Sequence, residues 1–251
     1  MNRSIIDEQS GWGREDSVAF FESSRHGPGS LYLSERLVLP RIARDCTSVL
    51  DIGCAAGGFV SVFRHFNDRV RYTGVDAVHS LLRAGAAANP GADFVRNDGA
   101  SLPFAAGTHD LVWSSGILHL NSAYEAIVRD AWRVAKRWLI CDFRLAQDGQ
   151  MHVGAFDVDF GSGRPTSPLP YIVIPRDRLL DFLASLQPTP GSIVIKGYAH
   201  PVSPQARDVP AEVIMAFVVV EKGGGGAAPR ISVDIRSREA FAATLDTSLD
   251  T

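Results

Sequence analysis

Residues 49–59 read Val-Leu-Asp-Ile-Gly-Cys-Ala-Ala-Gly-Gly-Phe, and no other stretch restricts the fold as much. A short apolar run ends in a glycine-rich turn, which opens into a helical pattern over residues 58–66. In a strand-turn-helix unit of this kind, backbone N–H groups and the helix N-terminus converge above the carboxyl end of the strand. A ligand with hydrogen-bond acceptors is the natural occupant of that position.

The same rhythm repeats. Apolar runs predict strands at 48–52, 71–75, 93–96, 110–114 and 138–143, alternating with helices at 58–66, 80–88 and 123–137. Ser122 and Glu125 predict a capping box for the last helix, whose Lys136 and Arg137 suit the C-terminal dipole. Alternation at this spacing implies βαβ units and a doubly wound, mostly parallel sheet. Ahead of it lies a helix at 31–43 that Pro40 is expected to kink or end.

Ten of the fourteen prolines follow Gln150, and residues 147–175 read as a loop-rich insertion. A helix at 176–186 and strands at 192–198 and 212–220 come next. With no crossover helix between them, those two strands are expected to pair antiparallel at the sheet edge, making seven strands in all. The reading divides the chain into an N-terminal helical lid (1–45), an α/β domain (46–222), and a flexible linker with a tail (223–251). The tail carries a helix candidate at 238–245 and is expected to be mobile or to pack on a partner, which allows a homodimer.

Charge and cysteine usage narrow the setting. With 25 Lys+Arg against 28 Asp+Glu over 251 residues, the net charge of -3 favours no polyanionic partner, and no nucleic acid is expected. Cys46, Cys54 and Cys141 lack the paired spacing of a disulfide framework or zinc site, which fits a cytoplasmic protein without a metal. No run approaches the roughly 20 apolar residues of a membrane span, and the acidic N-terminal stretch is unlike a signal peptide.

Three acids stand at the ends of successive strands: Asp51, Asp76 and Asp98. Each taken alone is equally a turn or cap residue. Together they argue for something more specific. The glycines at 53, 57 and 58 do not fit the spacing of a dinucleotide fingerprint, and no Lys-Ser/Thr pair follows for a triphosphate. Asp51 would repel a pyrophosphate but suits a cationic ligand, Asp76 suits a ribose diol, and Asp98 could accept from an exocyclic amine. The set describes a cationic adenosine without phosphates, the chemistry of S-adenosylmethionine.

On residues 50–57, 74–76, 98–104, 110–114 and 117–120, in this order, the chain resembles the class I S-adenosylmethionine-dependent methyltransferases, specifically the small-molecule methyltransferase domain with a Rossmann-like fold. The resemblance covers about residues 48–145. It implies that Asp51, Gly53, Cys54, Ala55 and Gly57 cradle the methionine part, that Asp76 and Ala77 hold the ribose, and that Asp98 and Gly99 hold adenine. It places Ser114, Ser115 and Gly116 under methionine and substrate. Ala55 stands where the family has glycine, so its Cβ is expected to crowd the approach.

His119 follows the fourth strand, either as a base near the transferred methyl or as a packed histidine. Arg25, in a glycine-rich approach to the first helix, either pairs a ligand carboxylate as part of a closing segment or sits in a solvated loop. Trp12, Phe20 and Phe21 are read as core or as pocket lining. The expected reaction is methyl transfer to an O, N or C nucleophile of a small-molecule acceptor. A protein or RNA methyltransferase and a non-catalytic S-adenosylmethionine-binding scaffold are the alternatives.

Overall fold

The computed structural model describes residues 12, 14–159, 163, 167–223 and 228–246. Five strands run parallel: β1 (Ser48–Ile52), β2 (Arg71–Asp76), β3 (Asp93–Arg96), β4 (His109–Ser114) and β5 (Ala135–Leu145). Three more follow in the chain and in the same sheet: β8 (Pro190–Pro201), β10 (Glu212–Lys222) and β11 (Arg230–Arg236). The order across the sheet is β11-β8-β10-β5-β4-β1-β2-β3. β1 lies beside β2 and β4, so the chain reverses its direction of winding there, and ligands of open α/β sheets bind at such a point.

Both faces of the sheet are covered, and the alternation along each strand assigns the residues. Leu50, Ile52, Val112, Leu139 and Cys141 face α5 (Tyr124–Val134) and α6 (Arg176–Ala184) through Ile127, Ala131, Trp132, Leu179 and Leu183. Val49, Leu111, Trp113 and Ile140 face the other layer, where α2 (Leu33–Asp45) and α3 (Phe59–Phe66) supply Leu39, Ala43, Val60 and Phe63. α4 (His79–Ala88) joins this second layer through Leu82. The doubly wound, mostly parallel architecture expected from the sequence is therefore the observed one.

Several details differ. The sheet has eight strands, because residues 230–236, expected in a flexible tail, pair parallel with β8. β10 runs antiparallel to both neighbours and lies inside the sheet, so the antiparallel strand is not the edge. α7 (Arg238–Asp246) follows, and Phe241 is buried against Tyr198 and Met215. The linker residues 224–226 fall outside the described residues.

Pro40 does not end α2, which continues to Asp45. α5 stops at Val134 and β5 begins at once, so Lys136 and Arg137 belong to the strand; Lys136 sits 3.5 Å from Asp110 and Arg137 covers the Trp138 ring. No capping box forms at Ser122 and Glu125. Asn121 instead accepts the Ala123 N–H at 2.9 Å just ahead of the helix. The insertion supplies β6 (His152–Phe156) and β7 (Leu169–Val173) to a three-stranded sheet, β7-β6-β9, whose third strand β9 (Ala206–Arg207) comes from later in the chain.

Candidate functional site

A cavity of about 250 Å³ opens at the carboxyl ends of β1 to β4. Its floor is the turn after β1. Gly53 has φ +78°, and a Cβ there would come within 2.5 Å of the Ile117 side chain, so only glycine fits. Ala55 also adopts a left-handed conformation, at φ +47°, which explains physically why glycine suits this position. Its N–H donates to Asp76 Oδ2 at 3.0 Å.

Asp76 closes β2 and lines the cavity. The Val78 N–H holds its other oxygen at 2.9 Å, so two backbone donors fix the carboxylate in place. Burial raises its pKa against the pull of these bonds. At the end of β3, Asn97 and Asp98 line the same cavity; Asp98 Oδ1 accepts the Ala100 N–H at 3.0 Å. Cys54, Ala77, Ser115 and Gly116 also reach the lining, together with Arg25.

Arg25 belongs to the segment after α1 (Glu15–Ser23), which folds down over the turn. A Cβ at Gly58 would lie within 2.8 Å of the Arg25 carbonyl oxygen, so this glycine lets the covering segment approach. Arg25 donates from Nη2 to Glu35 Oε1 at 2.6 Å, and its guanidinium lies 4.1 Å from the Tyr32 ring centroid. Glu35 is fully buried and also accepts from Ser115 Oγ at 2.9 Å and the Tyr32 N–H at 2.6 Å. Burial raises its pKa even so, against the charge of Arg25. Arg25 Nη1 is buried without a hydrogen-bond partner among the described residues. The solvated-loop reading of Arg25 is thereby replaced by a wall residue with a spare donor.

Five expected site residues lie behind the lining. Asp51 points into the α2/α3 layer, where Tyr72 donates to its Oδ2 at 2.5 Å, and burial pushes its pKa up to about 7. Gly57 turns toward Phe94, and Gly99 toward Ile52. Ser114 is buried in β4. These four shape the turns and strand ends rather than the cavity surface, which corrects the expectation of direct contact.

His119 is the fifth, and the packed reading describes it. It sits in the short 3-10 turn Leu118–Leu120, edge-on to Tyr171 at 5.1 Å, and burial holds its pKa well below the usual histidine range. It is not among the residues that line the cavity. The expected catalytic role of His119 therefore has no geometric support.

Residues that the sequence reading passed over also shape the site. Tyr32, Phe59, Asn97, Asn121 and Leu169 line the cavity, while Glu35 anchors its wall. Glu35 carried little signal, since an acid in the first turn of a helix is ordinary. Asp142 carried none. From β5 it accepts the Gly116 N–H at 2.7 Å and pairs with Arg144 at 2.6 Å, both side chains buried, fixing the turn that forms one side of the cavity.

Residues 50–139 match the family described as a methyltransferase domain. That stretch is similar to a methyltransferase domain. Proteins from Mycobacterium sp. strains KMS and MCS, each named as an uncharacterized methyltransferase, are 32% identical to it over 114 residues, 45% of this chain. The chain spans 40% of the length of these curated relatives.

Among solved structures, the N-terminal domain of EvdMO1, crystallised in the presence of SAH and D-fucose, covers 89% of the chain and is itself covered completely, at 15% identity and a TM-score of 0.56. A Pyrococcus horikoshii protein covers 76% of the chain and 88% of its own, at 14% identity and a TM-score of 0.51. Both share the fold of this chain. Among the described residues, no helix is long and apolar enough to cross a membrane.

Proposed function

We propose that the protein is an S-adenosylmethionine-dependent methyltransferase acting on a small-molecule acceptor. One observation carries this: Asp76, Asn97, Asp98 and the Gly53–Ala55 turn, drawn from three strand ends, line a single cavity at the reversal point of the sheet. The donor set suits the ligand. Asp76 offers fixed carboxylate oxygens to two ribose hydroxyls, Asp98 an acceptor to an exocyclic amine, and the spare Nη1 of Arg25 a donor to a carboxylate. When bound, the cofactor supplies an electrophilic methyl group on a cationic sulfur.

The protein's part is then to hold, orient and cover. Asp76 and the turn fix the nucleoside side, the Ser115–Gly116 segment borders the reacting region, and the covering segment through Arg25 excludes water. Enclosure by this segment and by the accessory sheet favours a small acceptor over a protein or RNA chain. Three buried, unpaired thiols at Cys46, Cys54 and Cys141 suit an intracellular setting.

Isothermal calorimetry with S-adenosylmethionine, S-adenosylhomocysteine and NAD tests the reading. Binding of the first two without the third is expected, and no binding of either overturns it. The packed position of His119 favours one second reading, a domain that binds the cofactor without transferring methyl. Binding with no S-adenosylhomocysteine formed across a metabolite panel would establish that instead.

A further inference from the structure

The cavity has two chemically different sides. Asp76, Asn97, Asp98, Ser115 and Arg25 make one side polar, whereas the side toward the accessory sheet is walled by hydrocarbon. Leu120, from the turn after β4, and Leu169, which opens β7, belong to one apolar cluster that Trp12 joins. Trp12 in turn meets Phe21 of α1 with ring centroids 5.7 Å apart. All four residues line the cavity, so elements from three parts of the chain converge on one apolar corner.

A polar handle stands beside this region. Asn121 lines the cavity directly after Leu120, is almost fully buried, and uses its Oδ1 to accept the Ala123 N–H at 2.9 Å. That bond fixes the orientation of the amide. Its nitrogen makes no hydrogen bond within the described residues, which leaves a donor at the cavity wall for a ligand atom.

We infer that the acceptor is an apolar, ring-bearing molecule with one hydroxyl oxygen that accepts the Asn121 amide N–H, as in a phenol. The inference rests on the cofactor reading above and deepens it. Such a body gains by leaving water for the Trp12, Phe21, Leu120 and Leu169 wall, while its one heteroatom meets one donor. A sugar or a polar metabolite would strip several hydroxyls of water against hydrocarbon, which is costly. In the proposed reaction that oxygen is the nucleophile. In that transfer the oxygen's second lone pair forms the new bond to carbon, the carbon-sulfur bond breaks, the bonding pair returns to sulfur, and the hydroxyl proton leaves to solvent.

The test uses the full chain saturated with S-adenosylhomocysteine and two probes, 2-naphthol and D-glucose, titrated by calorimetry. Binding of 2-naphthol without measurable binding of glucose is expected. Leu169→Asn, which puts an amide into the wall, and Asn121→Asp, which keeps the helix-capping oxygen but removes the donor, should each weaken 2-naphthol by at least about tenfold. S-adenosylhomocysteine affinity should stay within about threefold in both, which also certifies that they fold.

Glucose binding more tightly than 2-naphthol, or unchanged 2-naphthol affinity in both variants, overturns the inference while leaving the cofactor reading intact. Failure of S-adenosylhomocysteine to bind the parent protein overturns the cofactor reading first, and this inference with it.

Discussion

Asp76 is held by two backbone N–H groups, so its carboxylate is in place before any ligand arrives. Replacing it with alanine removes the acceptor and frees the Ala55 and Val78 amides. Asp76→Ala should weaken S-adenosylhomocysteine by about 1 to 3 kcal/mol, roughly 5- to 150-fold, in a calorimetric titration. An unchanged dissociation constant would show that the ribose lies elsewhere.

His119 gives a prediction in pH. Burial, and secondarily the charge of Arg144, depress its pKa in the folded protein, while the unfolded chain keeps a value near 6.5. Below that value the unfolded state binds a proton that the folded state refuses, so stability present above pH 6.5 is lost as pH falls. Relative to wild type, His119→Phe should gain about 1.4 kcal/mol of unfolding free energy for each pH unit below 6.5, read from urea denaturation at pH 5 to 7. Parallel curves for the two proteins would rule out a neutral, buried His119.

At this scale the sequence named the strand-end acids correctly but not their directions. Asp51 and Val49 share a parity along β1, and that parity faces the α2/α3 layer, where Tyr72 waits. Alternation alone could have shown it. What could not be read was that Tyr72 supplies the hydroxyl, because the partner depends on the β1–β2 register.

Among the elements, those with strong periodicity and clear turn residues were legible: β1 to β5, α3 and α4 fall where the apolar runs predict them. The accessory sheet was not, because β6 is half exposed on both faces and β9 has only two residues, so neither shows a buried stripe. The α5–β5 boundary was blurred for a related reason. Lys136 and Arg137 look like a helix C-terminus, yet the register with β4 claims Ala135 for the sheet by pairing it with His109.

The end of β5 carries the element-scale prediction. Asp142 ties β5 to the turn after β4, and Arg144 neutralises it in a buried position beside Tyr171 of β7. Asp142→Leu removes the turn's acceptor and leaves a buried guanidinium without its counter-ion. A loss of about 3 to 5 kcal/mol in unfolding free energy is expected by chemical denaturation. Replacing both Asp142 and Arg144 with apolar residues should recover part of that loss, since a buried pair removed whole costs less than one broken. A double variant no more stable than the single would mean that the turn bond, not the charge, dominates.

Across the whole molecule, the sheet divides the labour. β1 to β4 build the cavity on one side, while β10, β8 and β11 extend the sheet away from it on the other. The last strand looked like tail from sequence because a glycine run precedes it and its side chains are mostly exposed, leaving no apolar face to betray a strand. Its partner was set by backbone pairing with β8, which sequence pattern does not report. α7 is then fastened by one residue, since Phe241 fills a slot between Tyr198, Met215 and the half-buried Leu33 and Leu37 of α2. Phe241→Ala should cost about 3 to 5 kcal/mol, because it empties a closed apolar slot. S-adenosylhomocysteine affinity should nonetheless stay within about threefold at a temperature where the variant is folded, because the slot lies on the β8 side of the sheet and the cavity-lining turn on the β1 side. A larger loss of affinity would show that α2, which carries Glu35 toward the cavity and Leu37 toward Phe241, couples the two halves.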